Sequence, residues 1–399
     1  MHWSGTQHIN KALTVLAVAK RTPFLLYACL SALTLGIDRP AANASEPGIS
    51  PRAILIGQSA PFSGASSGIA KQFRKGSYYA LSDVNAHGGI HGRQIIMIYR
   101  DDQYKPQKAR ENTDKLLKSD KVFALFGYWG TPTTQAALPL IEKFKTPLIA
   151  PTTGAKLLRE PFNRLVFTVR ASYHKEMEVI INHLVRFGKE AIAIIYQRDS
   201  FGLDALTGAI ESLKQHGLEP VATVPIERDS SNNVEAARLV ALKRPESVLI
   251  LTAYPPIPDL INQLRERGSK AQIMTHSNSS AESLPPHLRR SIGVSQVVPY
   301  PWNPRIDLIR DYQNAVQSHE KKPTYNFASL EGYIAARVLI RALELAGPNP
   351  TKSGLIKSLE SIQSLDLGDY QLKFSETNHN GSSFAQLTFL IGEQGAYIH

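Results

Sequence analysis

One cysteine occurs in 399 residues, Cys29, and it falls in an N-terminal stretch that reads as a removable leader, so the remaining chain has no disulfide to rely on. An exported chain without bridges has to be held by its core, and ~355 residues are enough to bury one. A continuous apolar run of the ~20 residues that a spanning helix needs is also missing. The longest candidate, Phe24 to Ile37, has 14 residues. Nor is there a long basic run: Lys and Arg are interleaved with acids, as in KPQKARENTDKLLKSDK and RERGSK. That pattern belongs to solvated helix faces, and no nucleic-acid partner is expected. The pair His87 and His91 is split by two glycines and no glutamate follows the first histidine, which removes the geometry of a helical zinc site. No other metal or nucleophile constellation stands out, and neither metal nor cofactor is expected.

Before Phe24 stand Lys20 and Arg21, and after Ile37 comes Ala42-Asn43-Ala44. A charged start, a short apolar stretch and an A-x-A site predict a signal peptide over 1–44, with an uncleaved anchor as the competing reading. LLYAC around Cys29 loosely matches a lipoprotein box, but Tyr27 is bulky and the apolar run continues beyond the cysteine. Taking the net +3 of residues 1–44 from the formal +11 leaves +8 on the mature chain. A composition of 43% hydrophobic and 20% charged residues is that of a folded protein. The length exceeds the ~100 to 200 residues of one domain, so two are expected.

From Arg52 onward short apolar runs alternate with helical patterns. Strand candidates are AILIGQS from Ala53, QIIMIYR from Gln94, VFALFGY from Val122, PLIAP from Pro147 and RLVFTV from Arg164. They continue with AIAIIYQ from Ala191, PVATVPI from Pro220, SVLILTAY from Ser247, QIMTHS from Gln272 and VSQVVP from Val294. Near-continuous apolar runs separated by helices imply parallel sheets covered on both faces. The alternation runs twice, with VRASYHKE between the two sets. Helices over Ile306 to His319, Phe327 to Ala346 and Thr351 to Ser361 follow, then strands over Tyr370 to Phe374 and Gln386 to Gly392. Too few strands remain for a third sheet, so the late elements return to the two lobes and create a hinge. The expected division is 45–170 plus 299–372 for lobe 1 and 171–298 plus 373–399 for lobe 2.

Two hydroxyl-rich turns sit where ligands bind in such sheets, beyond the carboxyl ends of strands. In GTPTT, Thr131 takes the N-cap position with Pro132 as the first helical residue, exposing helix N-terminal amides. PTTG supplies Thr152, Thr153 and Gly154 one strand later. A small anion held by both turns is one reading, and a cap serving only its own helix is the other. Trp129, Tyr173, Phe201 and Tyr254 are candidate aromatic walls of the same cleft. Two hydrolase and phosphate motifs are weaker. GASSG places Ser66 in G-x-S-x-G, but Pro61, Phe62 and Ser63 separate it from the strand, and GPNPTKS lacks the glycine before Lys352.

The succession GQSAPFSG, DVNAHGGIHGRQIIMIYRDDQ, GYWGTPTTQAALPLIEKFKTPLIAPTTGA, IAIIYQRDSFG and SLEGYIAARVLIRAL resembles the periplasmic substrate-binding proteins of branched-chain amino acid ABC transporters. The resemblance covers nearly the whole mature chain, and NxxGGxxGR from Asn85 to Arg93 is its most specific part. It implies an α/β fold of the type I periplasmic binding protein kind: two lobes, each a mainly parallel sheet flanked by helices, with three hinge crossings. It further implies a periplasmic, non-enzymatic monomer that closes on a small ligand and delivers it to a membrane permease. By position, Thr131 and Gly154 would hold a carboxylate, the Thr152 carbonyl an ammonium group, and Phe201 and Tyr254 would cover the ligand. Leucine-binding members carry an acid just after the strand equivalent to QIMTH, where this chain reads Ser277-Asn278. The ligand is then expected to be an amino acid, an amide or an organic acid, with Glu282 and Glu331 as candidate substitutes for the missing acid. A sensor that presents its closed form to a membrane receptor is the alternative, and a serine hydrolase using Ser66 the remoter one.

Overall fold

Every junction between an apolar run and the helical pattern after it becomes a strand end in the computed structural model, which describes residues 46–289, 292–367, 370–391 and 396–398. The leader, its cleavage site and Cys29 lie outside these residues, as does the side chain of Glu282. The first set of elements is β1 (Ala53–Ala60), α1 (Ser67–Ala86), β2 (Gln94–Asp101), α2 (Pro106–Lys118), β3 (Ala124–Phe126), α3 (Thr131–Lys143), β4 (Leu148–Ile149) and β5 (Val166–Phe167). The second is α4 (Tyr173–Arg186), β6 (Ile192–Gln197), α5 (Ser200–Gln215), β7 (Ala222–Ile226), α6 (Asn233–Leu242), β8 (Ser247–Leu251), α7 (Pro256–Glu266), β9 (Gln272–Thr275) and β10 (Ile292–Gln296). The chain continues through α8 (Asp307–His319), α9 (Phe327–Leu345), α10 (Lys352–Glu360), β11 (Leu365–Leu367), β12 (Tyr370–Leu372), β13 (Gln386–Ile391) and β14 (Ala396–Ile398).

The first sheet has the order β2-β1-β3-β4-β5, all parallel. In the second, β7-β6-β8-β9-β10 repeats that order and is again parallel. Both sheets therefore reverse direction between their first and third strands, the point at which open sheets leave a crevice. The late strands lie outside this repeated parallel order. β12 forms a hairpin with β11, while β13 joins the second sheet antiparallel to β10 and pairs with β14 on its outer edge. Strand patterns carry a period and no address, so partner choice there is set by tertiary packing.

The core around the first sheet takes in Ala171, Val297 and Val298 and most of α8, α9 and α10, with Phe384 and Ala385 packed on its edge. Tyr173 and Val294 belong to the cores of the second sheet, and Leu387 packs there too. The chain passes from one side to the other within these three short intervals. Close helix packing locks the first side. A Cβ at Gly76 in α1 would lie 1.7 Å from the Ser329 carbonyl oxygen, and one at Gly332 in α9 would lie 2.0 Å from that of Phe73.

The motif NxxGGxxGR has a local explanation. Asn85 accepts from the Ile95 N–H at 2.8 Å and donates to its carbonyl at 2.9 Å, joining the end of α1 to β2. Gly89, at φ +73°, passes so close to Arg93 that a Cβ would meet its carbonyl oxygen at 1.9 Å. His87 and His91 bond the backbone carbonyls of Asp83 and Glu344, which makes them turn residues.

Candidate functional site

The carboxyl ends of β1, β3 and β4 face those of β6, β8 and β9 across a cleft that both sides bridge. Ser66 donates its hydroxyl to the Tyr254 carbonyl at 2.8 Å, and the Arg228 guanidinium donates to the Tyr104 carbonyl at 2.5 Å. Arg228 also lies over the Tyr104 ring, 4.2 Å from its centroid, and Gln197 Nε2 donates to the Tyr104 hydroxyl at 3.4 Å. The backbone N–H of Lys156 reaches Asp204 at 3.1 Å. A groove of about 450 Å³, lined among others by Ser66, Tyr104, Gln197, Arg228 and Tyr254, opens along this seam.

The turn after β3 differs from the expectation in one respect. Gly130, at φ 88°, is the N-cap of α3 and Thr131 is already helical, with Pro132 second. A left-handed backbone suits glycine, which moves the cap back by one residue. The Gly130 carbonyl accepts from the Thr134 N–H at 3.1 Å, while the N–H groups of Thr131 and Thr133 belong to the first turn, which has no intrahelical acceptor for them. The Thr131 hydroxyl pairs with that of Thr153 at 2.7 Å, joining the two hydroxyl-rich turns. Gly154 packs against the N-terminus of α4, its carbonyl accepting from the Tyr173 N–H at 3.0 Å. A Cβ there would lie 2.6 Å from that nitrogen.

Aromatic side chains fill two sides of the cleft. Trp129 meets Tyr104 edge to face at 4.7 Å, within a small cluster that also takes in Ala253 from the opposite side. Tyr173 meets Phe201 at 5.1 Å, and Phe201 lies 4.8 Å from His276. Burial raises the Tyr173 phenol pKa and pushes that of His276 down to about 4, so both are neutral at pH 7. Tyr254 is only partly buried and contributes its carbonyl to the seam. Trp129 Nε1, Thr152 Oγ1 and Ser279 Oγ are buried without a hydrogen-bond partner among the described residues.

At the position of the missing acid the structure places a buried charge cluster. Arg170, fully buried, reaches Asn278 Oδ1 at 2.9 Å, Glu176 at 3.4 Å, Glu331 at 3.6 Å and the Ser277 hydroxyl. Glu176 is further satisfied by the Ser277 N–H at 2.9 Å, the Ser277 hydroxyl at 3.0 Å and the Ser295 hydroxyl at 2.6 Å. Burial raises the Glu331 pKa, with Arg170 opposing the shift. Ser277 thus serves the ion pair, and its neighbour Asn278 turns toward the first side. Its Nδ2 donates to the Thr152 carbonyl and to the Tyr173 hydroxyl, both at 3.4 Å.

The candidates Trp129, Thr131, Thr152, Thr153, Gly154, Tyr173 and Phe201 therefore line one region, with Tyr254 at its rim and Ser277 behind it. Sequence reasoning passed over Tyr104, Arg170, Gln197, Arg228, His276 and Asn278. Tyr104 directly follows the DDQ of the motif, where Asp101 ties Phe62, Ser63 and Gln103 together and Asp102 bonds Ser59 and the Tyr104 N–H, which was a usable signal. The Ser66 hydroxyl is bonded to a carbonyl and, among the described residues, to no histidine.

A cleft between two sheets of repeated parallel order, bridged from both sides and walled by hydroxyls and aromatics, defines a two-lobed α/β binding protein. The chain belongs to the periplasmic binding protein family, whose model matches residues 53–389. It is similar to "Leu/Ile/Val-binding protein homolog 2" of Brucella abortus, 21% identical over 355 residues, which are 86% of this chain and 92% of that one. It is also similar to an "Amino acid binding protein" of Pseudomonas aeruginosa, 24% identical over 232 residues, 58% of this chain and 62% of that protein. Among solved structures, a substrate-binding periplasmic protein from Ralstonia solanacearum matches with a TM-score of 0.80 at 27% identity, covering 86% of this chain and 99% of the other.

Proposed function

We propose that the protein is the periplasmic solute-binding component of an ABC importer, exported through the leader 1–44 and closing its two lobes on a small ligand that bears a carboxylate. The observation that carries this reading is the set of donors gathered at two neighbouring strand ends: the first-turn N–H groups of α3, the Thr131 and Thr153 hydroxyls, and the buried Trp129 Nε1 without a partner. The amide and indole N–H groups left without acceptors, with the paired hydroxyls beside them, suit an anion at a helix N-terminus. Membership of the family and the names of the relatives support the transport role. Ligand contacts made from both sides favour the closed arrangement, and the closed form is what a permease would recognise.

The test is a thermal-shift and calorimetric screen of residues 45–399 against amino acids, amides, and aliphatic and aromatic acids. A ligand at 100 times its dissociation constant stabilises by ~2.7 kcal/mol. Thr131→Val should weaken its binding by ~1 to 3 kcal/mol while leaving the melting temperature of the free protein close to wild type. Failure of every carboxylate to bind would sink the reading. Uptake of the bound compound, compared between cells with and without the gene, separates an importer from a sensor.

A further inference from the structure

The identity of the ligand's second polar group can be read from which partners the cleft has already used. We infer that the cleft takes a hydrophobic monocarboxylic acid, aliphatic or aromatic, and rejects the corresponding zwitterionic amino acid, with Asn278 as the residue that excludes the ammonium group. The inference rests on the proposed reading of the cleft as a carboxylate site and names the class of ligand.

An ammonium group needs acceptors, and the Thr152 carbonyl and the neighbouring carboxylates are already engaged. The Thr152 carbonyl receives the Gly130 N–H at 3.3 Å and Asn278 Nδ2 at 3.4 Å, which occupies both of its lone pairs. Asn278 is held in that orientation from behind, because its Oδ1 accepts from Arg170 at 2.9 Å. A fixed guanidinium on the oxygen leaves only the amide hydrogens to face the cleft. The carboxylates are committed as well. Glu176 is surrounded by Arg170, Ser277 and Ser295. Asp199 caps α5 through the N–H groups of Phe201 and Gly202, and Arg228 stands 3.7 Å away. Glu331 faces Arg170. An ammonium group brought into this site would lose its water and find the Thr152 carbonyl and the Glu176 and Asp199 carboxylates already engaged.

Donors show the opposite state. Trp129 Nε1 is buried and unpartnered among the described residues, and the first-turn N–H groups of α3, two residues further on, have no intrahelical acceptor; the unpartnered hydroxyls of Thr152 and Ser279 can turn a proton toward an anion. One anionic group satisfies such a set. A second carboxylate would find Arg170 and Arg228 already facing acids. The rest of the wall is Trp129, Tyr104, Phe201 and Tyr254, which fits an apolar body.

The experiment compares matched pairs by calorimetry on residues 45–399: leucine with 4-methylpentanoate, phenylalanine with 3-phenylpropionate, and benzoate alone. The expected result is that at least one deaminated acid binds ~100-fold more tightly than its amino acid. Equal or tighter binding of the amino acid overturns the inference and leaves the carboxylate site standing. No binding by any acid or amino acid overturns both. Asn278→Ala frees the Thr152 carbonyl and should narrow the acid-to-amino-acid ratio at least 10-fold. An unchanged ratio in a variant that melts cooperatively removes Asn278 from the discrimination, and the wild-type comparison decides the ligand class whether or not that variant folds.

Discussion

Replacing Arg170 by methionine isolates the buried charge cluster that joins the chain crossings. The guanidinium is fully buried and serves two carboxylates, Glu176 at 3.4 Å and Glu331 at 3.6 Å, besides Asn278 and Ser277. Removing one partner of such a pair costs ~3 to 5 kcal/mol, because a buried charge is left uncompensated. The two carboxylates respond differently. Glu176 keeps three donors from Ser277 and Ser295. Glu331 Oε1 has no hydrogen bond among the described residues, and burial already raises its pKa, so without Arg170 it takes up a proton instead. Proton uptake limits the loss, which places the expected cost near ~3 kcal/mol at neutral pH. The sign follows from the raised folded pKa: the stability it confers is complete below the unfolded value of ~4.3 and is lost as pH rises through the folded value. Losing Arg170 raises that folded value further, so the deficit relative to wild type should be larger at pH 7.5 than at pH 5. Urea unfolding followed by circular dichroism at the two pH values measures it. Adding Glu331→Gln to Arg170→Met should recover at least ~1 kcal/mol by removing the unpaired acid. Equal stability of Arg170→Met and wild type, a loss independent of pH, or no recovery in the double variant would refute the reasoning.

Gly76→Ala and Gly332→Ala each drive a methyl group into a backbone carbonyl at the contact between α1 and α9, so each should cost more than the ~1 to 3 kcal/mol of ordinary overpacking. Gly68→Ala in the same helix α1 meets only ordinary contacts, 3.6 Å and beyond, and should be neutral or stabilising by up to ~1 kcal/mol; similar midpoints for Gly68→Ala and Gly76→Ala would contradict the close crossing. Asp102 is buried under the cleft and burial pushes its pKa up to about 7. Its raised folded pKa means that stability is highest below the unfolded value near 3.8 and falls as pH rises through about 7, so Asp102→Asn should flatten that fall between pH 4 and 7. A pH-stability profile of Asp102→Asn that parallels wild type would place the titration elsewhere.

The repeated strand order was legible because AILIGQS and AIAIIYQ are short apolar runs that stop at turn signals, and such runs in alternation with helices admit few topologies. The pairing of β13 with β10, and of β12 with β11, was not legible, since a two-residue period says which face is buried and nothing about the neighbour. The site divides along the same line. Thr131, Thr153 and Gly154 could be found because turn chemistry and helix starts are local. Arg170, Glu176, Ser277 and Ser295 could not, because hydrogen bonds spanning 101 to 119 residues leave no trace in spacing. The sequence alone presents Ser277-Asn278 as a lost carboxylate, which leaves the ligand's ammonium merely weaker bound. With Arg170 in place the same two residues have a different consequence. The guanidinium neutralises the acids nearby and turns the Asn278 amide nitrogen onto Thr152, so that the position which would attract an ammonium group presents hydrogen-bond donors to it. Restoring an acid at Ser277 alone would then place it within reach of Arg170, and it would pair with that cation before any ligand could. Conversion to amino acid binding therefore requires Asn278 and Arg170 to change together.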